Sequence, residues 1–310
     1  MPYSHESISE YIDKLSLHKR NITTEANEAW GRCNFSLSEP EIIEDFVKTS
    51  GMGISHLNST IAATFNASQK RFSLKFGGIF AHQRPYVQRL KPYTSDRKGT
   101  NPTEKCELAD LALINIFLDK NRNVIYSSAS LFQAKKDETV VKNLTQAFLY
   151  DYDEKFEYDS SAFASKTPCA HGQRELPRWD KNRSSALQYL LLSSSNPLAT
   201  KVRQSPWVID HKHDFGFFLY RMLTFSAGKS FKYNLRKIGK WSSIVYDLLT
   251  MAAGGMRGKA RGSGDLDIVI ERIMESNESS LNFQVNDQLG VSLLLAITQD
   301  TEIALDTIDS

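Results

Sequence analysis

Residues 109–118, ADLALINIFL, and 124–135, VIYSSASLFQAK, are two strand-length, mainly apolar segments separated by the polar stretch DKNRN at 119–123. Such runs joined by a short polar connection predict an antiparallel hairpin. With the turn centred near residue 121, residue 110 lies opposite about residue 132, so Asp110 falls beside Gln133. Gln133 and Lys135 are two apart and share one face of their strand. A carboxylate, an amide oxygen and an ammonium therefore meet at one end of an apolar ribbon. An acid with a second oxygen ligand can hold Mg²⁺ against a phosphate. A lysine beside it can orient a water or offset charge developing on the scissile phosphate. The plain alternative is that all three are solvated polar residues at strand ends, and spacing alone does not exclude it.

Outward from the hairpin, Ser38-Glu-Pro-Glu41 is a helix start, and Ile42, Ile43, Phe46, Val47, Ile54, Leu57 and Ile61 follow at near-helical spacing. Gly51 and Gly53 interrupt them, so one broken helix or two short ones are expected. Residues 70–82 alternate Phe72, Leu74 and Phe76 and then reach Gly77-Gly78, which reads as a strand with a bulge or kink. Residues 86–101 read as a basic loop, 139–150 as a helix, 151–183 as loop and 187–192 as a compact apolar strand. Past these, 206–225 reads as a strand running into a helix, 241–253 and 266–276 as helices, and 291–298 as a strand. No internal repeat of fixed period is present.

The composition excludes several classes. The 310 residues carry 38 Lys+Arg against 36 Asp+Glu, a formal charge of +2, with 41% hydrophobic residues. This is globular composition, and a nucleic-acid surface on it must be a local patch rather than bulk charge. No apolar run approaches the ~20 residues that cross a bilayer, and the first twenty residues have no signal-peptide pattern. Three scattered cysteines, Cys33, Cys106 and Cys169, do not make a disulfide framework. A cytoplasmic protein with no membrane partner is the expectation.

The order helix-strand-strand-strand-helix-strand, with Asp110 on the second strand and Gln133-Ala-Lys135 on the third, resembles the PD-(D/E)xK restriction-endonuclease-like superfamily. The branch with Gln-x-Lys, which includes Mrr-type restriction enzymes and anti-phage effector nucleases, is the most similar. The resemblance spans about residues 38–195 and is tight over about 30 of them. It implies an α/β fold with an αβββαβ core and mixed sheet, preceded by a helical extension at 1–37. A C-terminal α/β elaboration at 196–310, mainly helical, either adds to that domain or stands apart from it. It also implies a metal-dependent endonuclease cutting DNA rather than RNA, in bacterial anti-phage defence. Asp110 would be a Mg²⁺ (or Mn²⁺) ligand, Gln133 the second-ligand position, and Lys135 the base or charge stabiliser. Two departures stand out. Ala109 occupies the place of the eponymous proline. Gln133 is neutral and a weaker ligand than a carboxylate, so Glu107, or Glu44 on the first helix of the core, is expected to help. The alternative is a catalytically inactive nuclease-fold protein that binds DNA or a partner protein in a defence complex. Double-strand cutting would call for two sites, hence a homodimer.

Two basic segments are candidates for phosphate contact: His82, Arg84 and Arg89 around the first, and Arg257, Lys259 and Arg261 in the glycine-rich GGMRGKARGSG at 254–264. Solvated loops are the alternative for both. Ser226-Ala-Gly-Lys-Ser230 lacks the earlier glycine of a phosphate-binding loop and reads as a turn between helices. His211 and His213, with Cys169 and His171 elsewhere, match no common zinc spacing. The alternating aromatic and acidic residues of 149–158 read as a packing segment.

Overall fold

The computed structural model of the chain describes residues 3–81, 85–90, 105–137, 144–159, 173–232, 240–256, 265–276 and 291–301. The helices begin with α1 (Tyr3–Ser16), α2 (Lys19–Gly31), α3 (Glu39–Lys48), α4 (Gly53–Leu57) and α5 (Ala63–Ser68), a π-helical turn at Asn58–Ala62 joining the last two. They continue with α6 (Leu144–Asp151), α7 (Arg183–Ala186), α8 (Phe215–Leu223), α9 (Trp241–Met256) and α10 (Asp265–Glu275). The strands are β1 (Phe72–Ile79), β2 (Tyr86–Leu90), β3 (Lys105–Glu107), β4 (Leu111–Leu118), β5 (Val124–Lys136), β6 (Lys155–Tyr158) and β7 (Gln173–Glu175). After them come β8 (Leu187–Leu192), β9 (Lys201–Gln204), β10 (Lys212–Asp214), β11 (Lys229–Ser230) and β12 (Ser292–Asp300).

The protein is α/β. Its main sheet is mixed and runs β1-β12-β4-β5-β8-β9-β10, with β11 paired to β5. The hairpin read from sequence is present: β4 and β5 are antiparallel, with Leu111 opposite Phe132 and Ile114 opposite Ala129. That register is one residue from the sequence estimate and brings Asp110 level with Gln133. Asp119 closes the turn, accepting the Asn121 and Asn123 amides at 2.8 and 2.7 Å.

Every residue of β4 is buried, because both faces of the sheet are covered. Leu111, Leu113 and Phe117 join one apolar cluster with β1 and helices α1–α5 and α8. Ala112, Ile114, Ile116 and Leu118 join the other, beneath α9 and α10. Helix α9 supplies Trp241, Ile244, Val245, Leu248, Leu249 and Ala252 to that second face, the three-and-four spacing of an amphipathic helix.

Several expectations are corrected. Residues 86–90 form β2, and 155–158 and 173–175 form β6 and β7; together with β3 they make a second, four-stranded sheet ordered β3-β2-β6-β7. Burial alternates along β2 and β6, with Val87, Arg89, Phe156 and Tyr158 inward. A period-two pattern only four or five residues long is masked in sequence by the charges between. Gly77 and Gly78 make no bulge: β1 pairs with β12 in unbroken register from Phe72–Asp300 to Ile79–Leu293. The two glycines instead let Ile273 of α10 close on one face and Ile54 and Val47 on the other. For residues 196–310, where two arrangements were open, β9, β10 and β12 join the main sheet. Strand β12 lies between β1 and β4, parallel to β4. Residues 226–230 lead from α8 into β11 rather than joining two helices.

Candidate active site

Capping chemistry brings the first core helix to the end of β5. The Ser38 amide donates to Glu41 Oε2 at 2.9 Å, and Pro40 follows in the first turn of α3. This fixes Glu39 at the helix start, where its Oε1 accepts the Lys136 amide at 2.6 Å. Lys136 Nζ donates to the Leu37 carbonyl at 2.9 Å. The α3 terminus is thereby tied to the C-terminal end of β5.

Around that end the predicted residues converge. Asp110 stands just before β4, and its Oδ2 accepts the Ala134 amide at 2.7 Å. Gln133 is fully buried, and its Nε2 donates to the carbonyls of Glu107 and Leu108 at 3.0 and 3.3 Å. These bonds assign the amide orientation and leave Gln133 Oε1 buried with no partner among the described residues. Lys135, 8% exposed, donates Nζ to Gln146 Oε1 of α6 at 3.1 Å and lies 4.0 Å from Glu39 Oε2. Tyr150, one helical turn after Gln146, donates its hydroxyl to the Leu108 carbonyl at 3.0 Å. Helix α6 therefore grips the cluster from one side with two residues four apart.

The electrostatics follow from crowding and burial. Asp110 is pushed up to about 7, chiefly by burial, against the opposing pull of Lys135; Glu107 pushes it further up, the Ala134 amide pulls it down, and Glu39 adds a smaller push. Glu107 is raised as well, first by burial, with Lys135 opposing and Glu39 reinforcing. Tyr150 is held well above the usual phenol value by burial and by Asp110 nearby.

Asp110, Gln133, Lys135 and Glu107, all expected from the sequence, are gathered here. Glu44 is not among them: its side chain is exposed and pairs with Lys48 at 2.7 Å, an i,i+4 contact on the outer face of α3. The acid that α3 brings to the cluster is Glu39. Arg89 is also corrected as a phosphate contact. It is buried, paired with Asp153 through two hydrogen bonds and stacked over the Phe148 ring. Within 149–158 the packing reading holds for Asp153 and Phe156, which are buried, and not for Tyr152, which is exposed. His82, Arg84, Arg257, Lys259 and Arg261 lie outside the described residues, as do Cys169 and His171. His211 and His213 stand with ring centroids 4.4 Å apart, away from this cluster on the β9–β10 edge.

The donor set suits a hard cation. Among the described residues no three His, Cys, Asp or Glu side chains are grouped to cage a metal. Mg²⁺, however, is usually held by one or two carboxylates, its remaining positions filled by water and substrate phosphate. Asp110 and the unpartnered Gln133 Oε1 offer a carboxylate and an amide oxygen of that kind, with Glu107 adjoining. Among the described residues no helix is long and apolar enough to cross a membrane. Comparison with family models, curated proteins and solved structures yields no match to the chain.

Proposed function

We propose that the chain is a metal-dependent nuclease hydrolysing phosphodiester bonds, DNA first among its substrates, on a restriction-endonuclease-like α/β core. The observation that carries this reading is the grouping of three chemistries around one backbone position. Asp110 bonds the Ala134 amide, and Gln133 and Lys135 flank that residue on one strand face. The succession α3, β1, β4, β5, α6 and β8, with β4 and β5 antiparallel and β5 parallel to β8, supports the same reading.

A bound Mg²⁺ or Mn²⁺ would polarise the phosphoryl group and lower the pKa of a coordinated water. Asp110 and Gln133 Oε1 would hold it, with Glu107 as the adjoining acid. Gln133 is preset for this because its Nε2 is already occupied by two carbonyls. Lys135, steadied by Gln146, would place its ammonium against the charge that develops on the phosphate. A carboxyl near 7 also ties cation loading to pH: deprotonating Asp110 and binding the cation are linked, so loading strengthens as pH rises.

The second reading is a nuclease-fold protein that binds DNA or a defence partner without cutting. The neutral Gln133 and the lack of a three-residue acid or histidine group among the described residues favour it. The anti-phage setting and a dimer rest on the family resemblance alone. Incubating plasmid DNA and an RNA of matched length with the protein in Mg²⁺, Mn²⁺ and EDTA separates the readings. Products that need the cation support the nuclease. Retained binding with no product under any condition supports the binder.

A further inference from the structure

A concave site lies at the far end of α6. Tyr152, Glu154, Arg178, Trp179, Asp180 and Arg183 line a cleft of about 290 Å³. Trp179 is 45% exposed and Tyr152 39%, an unusual degree of solvent contact for two large rings in one cavity. The floor is rigid. Arg183 is buried and donates Nε to the Tyr150 carbonyl at 2.9 Å, Nη2 to Leu149 at 2.7 Å and Nη1 to Pro177 at 3.2 Å. Its guanidinium carbon lies 5.3 Å from the Trp179 ring centroid and so fixes that ring by a cation–π contact.

We propose that this cleft takes one nucleobase of a single-stranded or locally unpaired nucleic acid, stacked on Trp179 with Tyr152 beside it. The lining chemistry selects that class. Two arginines disfavour an organic cation, and Glu154 and Asp180 disfavour a bare phosphate. A neutral planar ring whose edge has both donors and acceptors suits the mixture, and aromatic rings stack on any base. Arg178 and Asp180, paired at 3.5 Å on the rim, are exposed enough to exchange partners with a base edge. Tyr150 connects the cleft to the catalytic cluster, since its carbonyl anchors Arg183 while its hydroxyl bonds Leu108, the residue that also receives Gln133. The proposal rests on the nuclease reading for its choice of ligand, and its test is independent of turnover.

The test is fluorescence anisotropy in EDTA with a labelled single-stranded oligonucleotide and an abasic strand of equal length. Wild type should prefer the base-bearing strand. Trp179→Ala should weaken that strand about 5- to 160-fold, the range of one stacked base, and leave the abasic strand unchanged. Trp179→Phe, which keeps a stacking ring and the packing over Arg183, should retain most of the affinity; Tyr152→Ala gives a second probe should Trp179→Ala fold poorly. Equal affinity for the two strands, or Trp179→Ala and Tyr152→Ala both indistinguishable from wild type, overturns the cleft proposal even if the protein cuts DNA. Trp179-dependent binding with no cleavage in any cation upholds the cleft and removes the nuclease.

Discussion

Asp110 and Ala134 are joined across the β4–β5 pair: a carboxylate oxygen takes the strand amide at 2.7 Å, so the side chain of one strand completes the ladder of the other. The bond fixes the acid between Gln133 and Lys135, and its setting raises the carboxyl from 3.8 to about 7.

A raised acid makes stability depend on pH in a defined direction. The folded protein holds the Asp110 proton between about 4 and 7 while the unfolded chain has lost it. This contribution is therefore full below about 4 and is lost as pH rises through about 7. Asp110→Asn can keep the Ala134 bond without ionising. In EDTA its melting temperature should gain on wild type between pH 5 and pH 8. Adding Mg²⁺ at pH 8 should stabilise wild type and not the variant. A difference between the two proteins that is constant with pH would contradict the assignment.

Gln146 holds Lys135 by one hydrogen bond. Gln146→Ala should lower the cleavage rate about 10-fold or more while leaving DNA affinity within about twofold, because it removes orientation rather than charge. Gln146→Glu should shift the pH profile of cleavage, since it sets a carboxylate against the ammonium. Single-turnover rates across pH check both.

The buried Arg89–Asp153 pair ties β2 to the loop after α6. Arg89→Ala strips the buried Asp153 carboxylate of both guanidinium hydrogen bonds, and breaking one side of a buried ion pair typically costs about 3–5 kcal/mol. Urea unfolding should show the loss. Below the unfolding transition, DNA affinity should be unchanged, because Arg89 is not at the surface.

Gly216 opens α8 where it crosses α2: its amide donates to Asn27 Oδ1 at 2.8 Å, and a Cβ there would collide with the Thr23 carbonyl. The neighbour is backbone and cannot rotate away. Gly216→Ala should destabilise by about 1–3 kcal/mol, the range for overpacking, read as a lower melting temperature.

The hairpin, and with it Asp110, Gln133 and Lys135, was legible because period and turn chemistry are local signals. The position of β12 was not. A strand nearly two hundred residues after β4 in sequence lies beside it, and no local pattern encodes that order. Gly77-Gly78 read as a kink because a missing side chain looks the same whether the backbone bends or a neighbour approaches. Glu39 was missed although its capping box was visible: the box fixes the helix start, but the contact with Lys136 spans 97 positions. Gln146 and Tyr150 did leave a signal. Four apart on an expected helix, they share a face, and that pair would have completed the cluster.

The most direct measurement compares wild type with Lys135→Ala on plasmid DNA in Mg²⁺, under single-turnover conditions with both proteins shown to be folded. Cutting should depend on the cation and fall about 10²–10³-fold in the variant, the usual loss when a charge-stabilising group is removed, with DNA still bound. Cutting that survives the substitution at full rate would contradict this and place the reaction elsewhere in the molecule.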